Sequence, residues 1–169
     1  MYLVFMGVSG SGKSTYARLT ADAFGLTYFE ADDYHPEENI SKMSAGTPLT
    51  DRDREVWIDQ MCEAIVGGGA DQAVVTCSAL TPFVRSRLEA QLPKKPTYLY
   101  LDVPSETIRA RMDQREGHFM PSSLLASQFE ALSVPDDAIQ ISNQGEISDV
   151  FERLVKVVET LMVGSENHG

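Results

Sequence analysis

The chain has 169 residues, of which 43% are hydrophobic, and a formal net charge of −11. This length is enough for one domain with a substantial core, and the acidic balance disfavours a nucleic-acid-binding surface, which needs clustered cations. The apolar stretch at residues 2–6 is too short for a signal peptide or a membrane-spanning helix, so we expect a cytoplasmic protein without a membrane partner. Cys62 and Cys77 form no disulfide framework and are expected to stay reduced.

Short apolar segments alternate with helical patterns along the chain, which is typical of a parallel sheet covered by helices on both faces. Strands are predicted at residues 3–6, 27–31, 73–77, 97–103 and 138–142. Helices are predicted at residues 13–24, 37–43, 52–66, 82–92, 104–114, 121–132 and 147–162.

The segment after the first predicted strand reads G-V-S-G-S-G-K-S at residues 7–14 and matches the phosphate-binding P-loop motif G-x-x-x-x-G-K-S/T in full. Its glycines allow backbone conformations that a Cβ would block, so that N–H groups can form a nest for phosphate oxygens. Lys13 supplies a cation for the β- and γ-phosphates of ATP, and the Ser14 hydroxyl can ligate Mg²⁺. The strand before the loop and the helix after it disfavour the alternative, a glycine-rich turn with a solvated lysine.

The residues that this motif predicts at the nucleotide are Gly7, Ser9, Gly10, Ser11, Gly12, Lys13, Ser14 and Thr15.

P-loop proteins include GTPases, motors, regulatory ATPases and small-molecule kinases. The short chain, the N-terminal P-loop and the lack of an N-K-x-D segment favour a small-molecule kinase. The third predicted strand ends without an acidic residue, and the nearest acidic candidates are Asp32 and Asp33, after the second strand. Because ligands bind at the carboxyl edge of such a sheet, Asp32 is predicted to orient an acceptor hydroxyl and accept its proton; a helix cap or a solvated turn residue is the alternative.

A series of short motifs then follows in a specific order. The first group is A-D-D-Y-H-P at residues 31–36, K-M at 42–43, G-x-P-L at 46–49, D-x-D-R at 51–54 and Trp57. The second group is C-S-A-L at residues 77–80, Arg85, Arg111, Arg115, G-H-F at 117–119 and S-Q-F at 127–129. Together with the P-loop, their order and spacing over residues 4–135 resemble the gluconokinase family.

This resemblance implies an α/β, three-layer P-loop kinase fold like that of nucleoside-monophosphate kinases. Its five-stranded parallel sheet has the order 2-3-1-4-5, with helices on both faces and a small lid. Residues 1–169 would form one domain, with a substrate-binding segment at residues 32–57 and the lid at about residues 115–125. The implied reaction is ATP- and Mg²⁺-dependent phosphorylation of D-gluconate at its 6-hydroxyl, which feeds the pentose phosphate pathway. A homodimer is typical of the family.

Basic side chains are expected at the acceptor and at the nucleotide. Lys42, Arg54 and Arg85 are candidates for the carboxylate and hydroxyls of the acceptor, because Arg can grip a carboxylate with two parallel bonds; surface ion pairs are the alternative. By resemblance, Arg111 flanks the adenine. Arg115 belongs to the lid over the phosphates and is expected to be catalytic, because an arginine that reaches the transferring phosphoryl group raises the rate.

Three further polar residues complete the predicted substrate set. His35 is expected to make a hydrogen bond within the substrate loop, and a metal site formed with Asp32 and Asp33 is disfavoured because no further ligand cluster accompanies them. His118 is assigned to the lid, and Gln128 of the S-Q-F match to the substrate.

Some positions depart from the family pattern on the acceptor side. Ala31 replaces a usual Gly, Thr81 a usual Lys and Val84 a usual Tyr, and an acidic residue is absent at Ser133 and Val134. Another small hydroxy acid, shikimate being one example, therefore stays open as the acceptor. A non-catalytic nucleotide-binding regulator is the alternative from another class of protein.

Overall fold

The computed structural model describes residues 1–114 and 124–166, and its centre is a five-stranded parallel sheet. The strands are β1 (Tyr2–Met6), β2 (Thr27–Glu30), β3 (Ala73–Thr76), β4 (Thr97–Asp102) and β5 (Ile139–Ser142). Every pair of neighbouring strands is parallel, and the order is β2-β3-β1-β4-β5. The predicted fold class and strand order are confirmed.

Helices connect these strands on both faces of the sheet. They are α1 (Lys13–Phe24), α2 (Glu37–Ser44), α3 (Asp51–Gly67), α4 (Pro82–Gln91), α5 (Ser105–Asp113), α6 (Leu125–Ala131) and α7 (Ile147–Glu166). The predicted strand at residues 27–31 ends one residue earlier, because Ala31–Tyr34 forms a 3-10 turn. The last helix continues past the predicted end at residue 162, since Gly164 does not interrupt it. Among the helices of residues 1–114 and 124–166, none is long and apolar enough to cross a membrane.

The alternation of side chains along β1 separates two hydrophobic layers. Val4 and Met6 belong to the cluster that includes side chains of α3 and α4, whereas Leu3 and Phe5 belong to the cluster with α1 and α7. All five residues of β1 are buried, as expected for a central strand covered on both faces. The P-loop that follows β1 therefore starts from a rigid, central position in the sheet.

A capping box starts α3, and an ion pair between Lys42 and Asp53 connects α3 to α2. The Thr50 side chain accepts a hydrogen bond from the Asp53 N–H, and the Asp53 carboxylate accepts one from the Thr50 N–H. Lys42 Nζ also lies 2.7 Å from Asp53 Oδ1. The bond from Lys42, assisted by those from Thr50, lowers the pKa of Asp53 to about 2.

We expect Asp53→Ala to lower the free energy of unfolding at pH 7 by about 1 kcal/mol, because the Thr50 N–H and Lys42 lose their acceptor and half of the capping box is removed. The folded pKa lies below the ordinary value near 4, so the Asp53 carboxylate stabilises the fold above about pH 4, and this contribution is lost as the pH falls towards 2. Urea unfolding should thus give a smaller difference between variant and wild type at pH 3.5 than at pH 7. Asp136→Ala, at an exposed site, is the control; a pH-independent loss for Asp53→Ala would contradict the assignment.

Candidate active site

Two adjoining cavities open at the carboxyl edge of the sheet. The smaller, of about 60 Å³, is the P-loop cavity and is lined by Ser9, Gly10, Gly12, Lys13, Ser14, Thr15 and Asp32. The larger, of about 110 Å³, is called here the second cavity, and it shares Ser9, Lys13 and Asp32 with the first. Asp32 therefore faces both the phosphate loop and the neighbouring cavity.

The P-loop adopts the conformation that its glycines allow. Gly10 and Gly12 have φ values of 80° and 95°, which favour glycine over residues with a Cβ. Gly7 N–H donates to the Ser78 carbonyl at 3.2 Å, which connects the start of the loop to the segment that follows β3. Lys13 Nζ lies 3.1 Å from the Gly7 carbonyl and folds back over the loop. Backbone donors and a cation are thus assembled around one small cavity.

Glu30 is the carboxylate next to the P-loop serine. Its Oε2 accepts hydrogen bonds from Ser14 Oγ at 2.6 Å and from the Tyr28 hydroxyl, and its Oε1 accepts one from the Thr76 hydroxyl. Burial alone would raise the pKa of Glu30, but these hydrogen bonds and the charge of Lys13 bring it below its ordinary value. Glu30 is therefore an ionised, tightly held carboxylate.

Glu30 is a site residue that the sequence pattern does not reveal. The pattern predicts Glu30 only as part of the strand at residues 27–31, and Asp32 and Asp33 as the nearest acidic candidates. The available signal was its position as the last residue of β2, at the sheet edge that also carries the P-loop. Glu30 is paired with Thr76 of β3, and its carboxylate accepts hydrogen bonds from both Thr76 and Ser14.

The second cavity combines polar and apolar side chains from several parts of the chain. Besides Ser9, Lys13 and Asp32, it is lined by Glu30, Ala31, His35, Met43, Pro48, Leu49, Arg54, Trp57, Thr76, Cys77, Ser78, Leu80, Leu124, Ser127, Gln128 and Ala131. Residues 32–57, predicted as the substrate-binding segment, supply much of this lining.

His35 is held as a neutral ring within this lining. It stacks on Trp57 with the ring centroids 4.2 Å apart, and burial lowers its pKa to about 4. Asn39 Nδ2 donates to the Asp53 carbonyl at 2.9 Å and lies 3.4 Å from His35 Nδ1, so Nδ1 acts as an acceptor. The proton of the neutral ring then belongs on Nε2, which lies 3.9 Å from Asp32 Oδ1.

The predicted acceptor-binding cations occupy different places. Arg54 lines the second cavity, and its Nη1 lies 3.2 Å from Asp51 Oδ1, one helical turn away. Lys42 lies outside the lining, where it pairs with Asp53 and connects α2 to α3. Of these two residues, the structure brings only Arg54 to the cavity.

Arg85 lies behind the cavity wall rather than in it. Its side chain is buried and its Nη1 donates to the carbonyls of Ala79 and Leu80 at 2.9 and 3.2 Å. Ala79 has a φ of 46°, which is uncommon for a residue with a Cβ. Arg85 thus stabilises the turn that presents Ser78 to the cavity.

The remaining predicted residues are placed as follows. Gln128 Oε1 accepts a hydrogen bond from the Ser9 N–H at 2.7 Å and also lines the second cavity, so it joins the P-loop to α6. Arg111, in the last turn of α5, lies outside the linings of both cavities. Its positive charge opposes the rise in the pKa of Tyr16 that burial causes. Arg115 and His118, together with residues 115–123 of the predicted lid, lie outside the described residues.

The departures from the family pattern fall mostly away from the second cavity. Thr81 caps α4 by accepting a hydrogen bond from the Val84 N–H, and the Val84 side chain is buried in the core. Ser133 N–H donates to the Leu80 carbonyl at 2.8 Å, and Val134 is exposed. Ala31, which replaces a usual Gly, does line the cavity.

The acidic, histidine and cysteine side chains give no sign of a metal centre or a reactive thiol in the described residues. In residues 1–114 and 124–166, no group of three or more His, Cys, Asp or Glu side chains is arranged to hold a metal ion. Burial raises the pKa values of Cys62 and Cys77 to about 12, so both thiols stay protonated at neutral pH.

The class of protein follows from three features. A P-loop follows the central strand, the Asp32 carboxylate lies at both cavities, and the strand order is β2-β3-β1-β4-β5. Together they define a P-loop phosphotransferase domain that binds a nucleotide next to a small acceptor. The sequence profile of a family described as an AAA domain matches residues 3–134. A gluconokinase from Gluconobacter oxydans is 40% identical over 92% of this chain and 89% of that protein. The chain belongs to the gluconokinase family.

Other relatives agree with this membership. The thermosensitive gluconokinase of Escherichia coli is 38% identical over 92% of this chain and 86% of that protein. The crystal structure of a gluconokinase from Sinorhizobium meliloti has a TM-score of 0.81 at 36% identity and covers 97% of both chains. An unliganded sugar kinase from a Janibacter species has a TM-score of 0.83 at 41% identity and covers 94% of both chains.

Proposed function

We propose that the protein transfers the γ-phosphoryl group of ATP to the 6-hydroxyl of D-gluconate and forms 6-phosphogluconate. The observation that carries this proposal is the sharing of Asp32 and Lys13 between the P-loop cavity and the second cavity. A donor phosphate in one cavity and an acceptor hydroxyl in the other would meet at these two residues. The relatives named gluconokinase, which match most of the chain, supply the identity of the acceptor.

On the donor side, the backbone N–H groups of the P-loop bind the phosphates and Lys13 stabilises the charge that develops on the γ-phosphoryl group. Mg²⁺ fits this site, because Ser14 offers a hydroxyl oxygen beside the ionised Glu30 and hard cations prefer oxygen ligands. Ser14 would hold the ion, with Glu30 orienting the Ser14 hydroxyl. When bound, Mg²⁺ neutralises part of the phosphate charge.

On the acceptor side, Asp32 orients the attacking hydroxyl. The hydroxyl oxygen forms a bond to the γ-phosphorus, the bond from phosphorus to the β–γ bridging oxygen breaks, and the hydroxyl proton passes to Asp32. A loose transition state needs this proton transfer only late, so an ordinary carboxylate suffices. The products are ADP and the phosphate ester.

Recognition of the sugar acid is assigned to Arg54 and His35. Arg54 can bind the gluconate carboxylate through two parallel hydrogen bonds. His35 carries its proton on Nε2 and can donate to a hydroxyl oxygen near Asp32. The apolar lining, with Trp57 and Leu49, packs against the carbon chain.

A panel of acceptors tests the proposal. With ATP and Mg²⁺ constant, we expect kcat/KM for gluconate to exceed that for shikimate and for other sugar acids by tens-fold or more, about the discrimination that a missing or misplaced hydrogen bond produces. The position of Thr81, Val84, Ser133 and Val134 outside the second cavity supports gluconate. Preferred turnover of shikimate would reassign the acceptor, and background turnover of every acid, with ATP still bound, would favour the regulator.

Glu30→Gln tests the magnesium assignment. The substitution removes the charge that orients Ser14, so we expect the free Mg²⁺ concentration for half-maximal rate to rise about tenfold, as for other groups that support metal ligands. A Mg²⁺ titration at fixed total ATP measures this change. Glu37→Gln removes the same charge from an exposed site and is the control. Equal Mg²⁺ requirements for Glu30→Gln and wild type would contradict a role for Glu30.

The proposal also includes a cytoplasmic location and, as is typical of the family, a homodimer. Light scattering coupled to size-exclusion chromatography should give twice the mass of 18.6 kDa. A monomeric mass would remove the dimer from the proposal and leave the reaction unaffected.

A further inference from the structure

A buried asparagine joins the end of β5 to the P-loop. Asn143 directly follows β5 and is 3% exposed. Its Nδ2 donates a hydrogen bond of 2.8 Å to the carbonyl oxygen of Ser11, inside the phosphate-binding motif. The sequence pattern alone predicts no role for Asn143.

Two further hydrogen bonds hold Asn143 in place, one at its side chain and one at its backbone. Its Oδ1 accepts a bond from the Tyr16 hydroxyl at 2.8 Å. Its backbone N–H donates to the Asp102 carbonyl at 3.0 Å, which anchors the residue to the end of β4. The Ser11 carbonyl can only accept, so the amide nitrogen of Asn143 faces Ser11 and the Tyr16 hydroxyl donates to the amide oxygen.

The bond to Ser11 sets the orientation of the next N–H group. In a planar trans peptide, the carbonyl of Ser11 and the N–H of Gly12 point in opposite directions. Asn143 holds the carbonyl on its own side, so the Gly12 N–H is turned away from Asn143. Gly12 lines the P-loop cavity, which is where phosphate oxygens need donors.

The contact is close enough to restrict the loop. A Cβ added to Gly12 would lie 2.8 Å from Asn143 Nδ2 and 3.3 Å from the Tyr16 ring, so Gly12 packs directly against both side chains. Gly12 has a φ of 95°, a left-handed conformation that favours glycine. Asn143 and Tyr16 thus restrict the loop on the side where they pack against Gly12.

We propose that Asn143, oriented by Tyr16, is a positioning residue that turns the Ser11–Gly12 peptide so that its N–H faces the nucleotide phosphates. The donor is then oriented before the ligand arrives, which reduces the ordering cost of binding. This inference rests on the proposed function only in taking a nucleoside triphosphate as the occupant of the P-loop cavity. It holds whichever acid is the acceptor.

Asn143→Asp tests the proposal with almost no change of shape. The variant places a carboxylate oxygen opposite the Ser11 carbonyl, so the peptide loses the bond that orients it. Isothermal titration calorimetry of the full chain should show about tenfold weaker binding of ATP and of inorganic tripolyphosphate, which corresponds to about 1.4 kcal/mol, the scale of one lost hydrogen bond. The KM for the acceptor at saturating ATP should change by less than about twofold.

Gln144→Glu is the matched control. It makes the same change from amide to carboxyl at the next residue of the chain, where the side chain is exposed. We expect wild-type affinity for both phosphate ligands. Tyr16→Phe removes only the hydroxyl that orients Asn143 and should weaken both ligands by about threefold, so it serves if Asn143→Asp does not fold.

The outcomes separate this role from simple structural support. A lower melting temperature of Asn143→Asp with unchanged dissociation constants for ATP and tripolyphosphate would overturn the proposal. So would unchanged constants for Tyr16→Phe where it is the variant tested. If gluconate proves not to be the acceptor, the binding constants still decide the role of Asn143. If wild type binds neither phosphate ligand, the proposed function itself fails on its donor side.

Discussion

Asp32→Asn should lower kcat for gluconate phosphorylation by about 10²–10⁴-fold, because the amide can no longer accept the proton of the attacking hydroxyl. The dissociation constant of ATP should stay within about threefold of wild type, since the P-loop backbone and Lys13 are unchanged. Steady-state kinetics combined with titration of ATP in the absence of acceptor measures both quantities. The effect is large because Asp32 faces the two cavities at their junction.

Asp33→Asn is the matched control for this substitution. Asp33 is the next residue of the same 3-10 turn, is exposed and lies outside both cavity linings. Its replacement should leave kcat near wild type. If Asp32→Asn and Asp33→Asn reduced kcat equally, or if Asp32→Asn kept more than half of the wild-type rate, Asp32 would be a turn residue and not the acceptor base.

Arg54→Met should raise the KM for gluconate about a hundredfold, which corresponds to the loss of charge-assisted hydrogen bonds of up to about 3 kcal/mol. Methionine keeps an unbranched apolar stem in place of the Arg54 stem but cannot bind a carboxylate. The KM for ATP should be almost unchanged, because Arg54 lies outside the lining of the P-loop cavity. Initial rates over a matrix of ATP and gluconate concentrations separate the two constants.

Two controls make the Arg54 prediction specific. Arg52→Met removes the same charge from an exposed position of α3 and should leave both KM values near wild type. The neutral polyol of the same chain length has no carboxylate, so its weak turnover should respond much less to Arg54→Met than that of gluconate. A KM for gluconate that stays at the wild-type value would mean that Arg54 serves only its ion pair with Asp51.

The parts of the fold that depend on local patterns could be predicted from the sequence. The buried run at β1 and the glycines after it are contiguous, so the strand, the P-loop and the start of α1 follow from short-range rules. The Thr81 cap with Pro82 at the first helical position also marked the start of α4 correctly. The strand order came from the family resemblance, since spacing alone leaves several orders open.

The contacts that the sequence did not reveal join distant segments. Glu30 meets Ser14 only because β2 and the P-loop end at the same sheet edge, and Asn143 reaches Ser11 from the opposite end of the chain. The basic residues predicted to bind the acceptor also depend on contacts between distant segments. Charge alone could not tell that Lys42 is taken by Asp53 and Arg85 by backbone carbonyls, because those partners are brought close only by folding.

The identity of the phosphorylated oxygen is the most direct test of the proposed function. The chain would be incubated with ATP, Mg²⁺ and gluconate, and the phosphorus NMR spectrum of the product recorded with proton coupling. Transfer to the 6-hydroxyl predicts a phosphate monoester whose signal is split into a triplet by the two protons of the terminal methylene group. A doublet from a secondary ester, or the appearance of ADP and free phosphate alone, would contradict gluconate 6-phosphorylation.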